Sequence, residues 1–116
     1  MSFTGKEGDP ITREIAKAWI NNYQESESAR EPEKTVIKAH FFGKDKILKL
    51  LNNDECVGIR IYYGMDENNT KQILLTGVKS DMNDILPDDM NSASEDGSII
   101  LEFSWPCPPY CGNVDI

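Results

Sequence analysis

Val57-Gly58-Ile59-Arg60-Ile61-Tyr62-Tyr63 is the stretch that decides the fold. Val57, Ile59, Ile61 and Tyr63 alternate with Gly58, Arg60 and Tyr62, and a period of two is the signature of a strand with two unlike faces. A polar loop, Met65 to Thr70, separates it from a second strand, Lys71 to Lys79, which carries Ile73-Leu74-Leu75 and Val78. A connection this short closes an antiparallel hairpin and cannot hold a parallel crossover.

Downstream, Ser80 to Gly97 is polar, acidic and interrupted by Pro87, which predicts a long loop. Ser98 to Trp105 predicts a last strand, with Ile99, Leu101, Phe103 and Trp105 on one face and Ile100, Glu102 and Ser104 on the other. Upstream, Thr35 to Phe42 is β-branched and aromatic enough for a strand. Lys44 to Asn52 predicts a short helix with Ile47, Leu48, Leu50 and Leu51 as a wide apolar face. Its early lysines oppose the helix dipole, so packing has to hold it. Ile11, Ile15, Trp19 and Tyr23 recur every four residues, which predicts a helix from Pro10 to about Gln24 with Asp9 as its N-cap. Glu25 to Lys34 reads as a solvated loop. The order is helix, strand, helix and three strands, an α+β fold: a small, mostly antiparallel sheet of three or four strands with two helices packed on one face. Ile15, Trp19, Leu48, Leu51, Ile59, Ile61, Leu75 and Leu101 form the expected core, and Ile61→Ala is expected to lose about 2–5 kcal/mol.

The 116 residues suit one domain, with residues 1–9 as a flexible N-terminus and 106–116 as a Pro/Cys-rich tail. Twelve basic and twenty acidic residues leave a net charge of −8. That balance excludes a nucleic-acid binder, which needs a basic surface, and a protein docked on anionic lipid. It is uneven: residues 1–58 hold nine basic and ten acidic side chains, residues 59–116 three and ten, so the second half carries −7. The N-terminus shows no signal-peptide pattern and no apolar run approaches a membrane span, which gives a cytoplasmic expectation.

Three segments together resemble a group of short, uncharacterised bacterial proteins, mainly from Bacteroidetes. They are Lys38-Ala39-His40-Phe41-Phe42-Gly43, Val57 to Gly64, and the tail Pro106-Cys107-Pro108-Pro109-Tyr110-Cys111-Gly112. The resemblance covers about Ile11 to Gly112. It implies a bacterial cytoplasmic setting and assigns no activity and no functional residue.

Cys107-x-x-x-Cys111 is the sharpest chemical feature. Thiolates at this spacing can share a zinc ion or cycle to a disulfide, and Cys56 and His40 could complete a set of four ligands. The second half of a paired zinc knuckle is missing, and Cys56 at a strand start also suits a small buried side chain. In a reducing compartment the pair is expected as free thiols held near each other by a turn. His40, the single histidine, lacks a nucleophile motif beside it. Asp66-x-Asn68-x-Thr70 opens like a calcium loop and then departs from it at Lys71 and Gly77. Trp105 and Tyr110, set among prolines, suit partner anchors, while Trp105 could equally close the core. Asp84, Asp88 and Asp89 could meet a basic partner surface. The leading reading is a non-catalytic protein-interaction module without a cofactor, and the alternative is a metal-binding (zinc) or thiol-redox protein at Cys107 and Cys111.

Overall fold

A computed structural model describes residues 1–87 and 99–112. The elements run α1 (Arg13–Arg30), β1 (Ala39–Phe41), α2 (Lys44–Leu51), β2 (Cys56–Met65), β3 (Lys71–Lys79), β4 (Asp84–Ile85), β5 (Ile100–Leu101) and β6 (Trp105–Cys107). This is α+β, with a four-stranded antiparallel sheet and a separate two-stranded one. The chain divides into two compact units, Met1–Glu7 with Phe42–Ser104 and Gly8–Phe41 with Trp105–Ile116.

In the first unit, β2 and β3 form the hairpin that the period-two pattern dictates. Ile59 stands opposite Gly77, Ile61 opposite Leu75 and Tyr63 opposite Ile73, with a bulge after Cys56. The far edge of β3 pairs with β4 at Gly77 and Val78 and with β5 at Leu75 and Thr76. α2 lies across this sheet. Leu50 is fully buried against Leu75 and Ile99, ringed by Phe42, Ile47, Ile59, Ile73 and Leu101. Gly77 permits that approach: a Cβ there would stand 3.2 Å from Cys56 Sγ and 3.5 Å from the Leu50 carbonyl oxygen.

The expected core needs correction at five positions. Leu75 is buried, and Ile59 and Leu101 pack beside it, but Leu48, Leu51, Ile61, Ile15 and Trp19 are exposed. An eight-residue helix is about 12 Å long and can bury only one row of side chains. Ile47 and Leu50 form that row, three apart, which leaves Leu48 and Leu51 outside. Ile61 shares the covered face of the sheet, yet it lies farther along β2 than Ile59, outside the cluster around Leu50, and is 59% exposed. Ile15 and Trp19 belong to α1 in the second unit, and no residue of α1 is buried.

Boundaries shift for identifiable reasons. Thr12, not Asp9, caps α1, its Oγ1 accepting from the Ile15 N–H at 3.2 Å. The helix continues through Glu25 to Arg30, where Arg30 reaches back to Glu27 at 3.0 Å. It stops at Glu31, whose backbone leaves the helical region at φ −138° and ψ 73°, as the residue before a proline is pushed to do. The expected last strand is two, because Phe103 takes a left-handed backbone at φ 58°, a turn that no ladder spans. Within the expected long loop, Asp84 and Ile85 add β4 after a tight turn in which the Lys79 N–H donates to the Asn83 carbonyl at 2.9 Å.

Candidate functional site

The site belongs to the second unit. β1 and β6 pair antiparallel, Ala39 with Cys107, His40 with Pro106 and Phe41 with Trp105. Directly opposed residues share a face of a ribbon, so Phe41 and Trp105 stand side by side and both are exposed. The chain then folds back. Cys107 and Cys111 are joined by a disulfide with their Cα atoms 4.8 Å apart, and the peptide bonds before Pro108 and Pro109 are cis. The Tyr110 N–H donates to the Pro106 carbonyl at 2.9 Å. That turn carries Tyr110 back over Trp105, with ring centroids 4.8 Å apart and planes inclined by 43°. Phe41, Trp105 and Tyr110 thus present three exposed rings on a ribbon closed by a covalent loop. The expectation of free thiols is corrected: four residues bring the sulfurs together, and the pair is a cystine.

Trp105 is not core, as its exposure of 60% decides. Phe41 is the member that the sequence reading missed. The signal was the pair Phe41-Phe42, since neighbours on a strand face opposite ways. Phe42 packs against the core of the first unit, and Phe41 is exposed.

The other candidates land elsewhere. His40 stands opposite Pro106, partly buried, and burial lowers its pKa below the ordinary histidine value, favouring neutral imidazole. Cys56 is a free thiol in the first unit and donates to the Gly58 carbonyl at 3.1 Å. Among the described residues no three His, Cys, Asp or Glu side chains gather as a metal site. Asp66 is occupied by its own turn. It accepts from the N–H groups of Asn68 and Thr70 at 2.9 and 3.0 Å and from Gln72 Nε2 at 3.0 Å, and its pKa is held low chiefly by the Thr70 N–H.

Asp84 is also engaged. Its carboxylate accepts from Arg60 Nη1 at 2.8 Å, from Thr76 Oγ1 at 3.2 Å and from the Tyr62 hydroxyl. Arg60 Nη2 donates to the Met82 carbonyl at 3.1 Å, and Phe3 lies 5.7 Å from its guanidinium carbon. Asp84 therefore ties β2, β3 and β4 together rather than standing as a solvated charge. Asp88 and Asp89 lie outside the described residues.

Among the described residues no helix is long and apolar enough to cross a membrane. No protein-family model, no curated protein and no solved structure matches this chain.

Proposed function

We propose that the protein is a non-catalytic interaction module whose ring platform, Phe41, Trp105 and Tyr110, receives a basic protein surface. The observation that carries the reading is three exposed aromatic side chains held together on a covalently closed ribbon. Aromatic rings with few rotatable bonds lose little freedom on binding and serve as anchors. Their faces attract lysine and arginine, and a net charge of −8 draws the same partner from a distance.

The test is capture of partners in parallel with the parent chain and with Phe41→Ser, Trp105→Ser and Tyr110→Ser, followed by titration of the purified partner. Trp105→Ser is expected to weaken binding at least about tenfold, the scale of an anchor residue. Binding should weaken as salt rises. Equal affinity for parent and all three variants would remove the platform from the reading.

A second reading rests on the disulfide. We place the protein in the cytoplasm, where such bonds are usually reversible and redox-sensing. Cys107 is 3% exposed and Cys111 is more open, so an incoming thiolate attacks Cys111 Sγ and expels the Cys107 thiolate. A second thiol equivalent then resolves the mixed disulfide, giving two protein thiols and one oxidised low-molecular-weight disulfide. Chain quenched in acid from cells and alkylated is expected to take one label at Cys56 without reductant and three labels with it. Three labels without reductant would show that no disulfide is held there.

A further inference from the structure

β2 is an outer strand: among the described residues it pairs with β3 alone. Its other edge offers a row of backbone donors and acceptors over as many as ten residues. Outer strands usually carry charges, prolines or short lengths that block addition of another strand. β2 has no proline, and its one charged residue, Arg60, is already paired with Asp84. Tyr63 is 91% exposed, and Ile61 and Met65 are exposed beside it.

The N-terminal segment marks where the edge begins. Phe3 is anchored by its N–H to the Ser80 carbonyl at 2.8 Å, and Gly5, at φ 88°, lies against the Val57 carbonyl. Phe3, Gly5 and Glu7 face Val57 to Ile61 and Val78 across a cleft of about 440 Å³. Tyr62 to Met65 lie beyond the β2 residues that line this cleft.

We propose that two copies of this chain pair through β2, as antiparallel strands about a two-fold axis at Tyr62. The seven residues from Ile59 to Met65 are self-complementary about that axis. On one face Ile61 meets the second copy's Tyr63, and Ile59 meets its Met65, each contact made twice. On the other face Tyr62 stands opposite Tyr62 and Arg60 opposite Gly64, with Arg60 and Tyr62 both bonded to Asp84 of their own chain, so no like charges oppose each other. The second copy's Met65 then stands beside Ile59 at the mouth of the cleft, where Phe3 and Val57 supply apolar lining. Neither flanking carboxylate is aimed across the contact. Asp66 is folded onto its own turn. Glu7 accepts from the N–H groups of Thr4 and Gly5 at 2.8 and 2.9 Å, and its pKa is lowered to about 2, chiefly by the Thr4 N–H.

Copies that each carry −8 repel at long range, so salt strengthens this pairing. Salt acts in the opposite sense on the platform's contact with a basic partner, which keeps the two readings separable.

Sedimentation equilibrium of the full chain at low and high salt tests the proposal. The expected result is a mass moving from the chain value of 13.1 kDa toward twice that value with concentration, and sooner at high salt. Tyr63→Lys places a charge against Ile61 in both halves, and Met65→Lys places one against Ile59. Each is expected to hold the mass at the single-chain value with circular dichroism unchanged, since both side chains are exposed in the single chain. A parent that stays at the single-chain mass throughout, or pairing that survives whichever of the two variants folds, would overturn it.

Discussion

Leu50→Ala is expected to cost about 2–5 kcal/mol, whereas Ile61→Ala stays within about 0.5 kcal/mol when measured below the concentration at which chains pair. Leu50 has no exposed surface and touches Leu75 and Ile99, so truncation leaves a void that an eight-residue helix cannot close by tilting without losing Ile47. Ile61 already spends most of its surface in water, and truncation removes little burial. Urea denaturation followed by circular dichroism checks both. Equal midpoints for the two variants would refute the placement of Leu50 against Leu75 and Ile99.

Asp84→Ala is expected to cost about 1–3 kcal/mol, because Thr76 is 2% exposed and would lose the carboxylate that accepts from its hydroxyl. Arg60 and Tyr62 are open enough to turn toward water and recover hydration. The double variant is the sharper test. Thr76→Val removes the stranded hydroxyl, so Asp84→Ala should cost less in that background than alone. Additive losses would mean that the cost arises elsewhere in the turn from Lys79 to Asp84. Neutralising this carboxylate to probe a partner would therefore disturb the sheet first.

The hairpin was legible because alternation and a short polar loop are local properties of the chain. Its coverage was not. Ile59 and Ile61 carry the same pattern and share a face, but only Ile59 packs against the Leu50 cluster, a matter of helix length and position along β2 rather than residue type. α1 shows a similar limit. Its four-residue apolar spacing gave the helix, while nothing in that spacing says what the stripe faces. The division of Ser98 to Trp105 into β5 and β6 hinges on one left-handed residue, Phe103, which propensity disfavours there. The tail was legible as a pair of sulfurs needing a turn. The platform was not, since Phe41 meets Trp105 only through a pairing between residues far apart in the chain.

The two tryptophans, Trp19 and Trp105, both lie in the second unit and both are solvent-exposed. Indole emission shifts to the red when the ring enters water, and in the folded chain both rings are already wet. Loss of the Leu50 core should therefore leave little trace in the emission colour, so a flat fluorescence curve would be no sign of an unfolded starting protein. Trp105 acquires the complementary use. A partner seated on its ring would exclude water and move its emission to the blue, which makes this indole a built-in gauge of occupancy that needs no added dye.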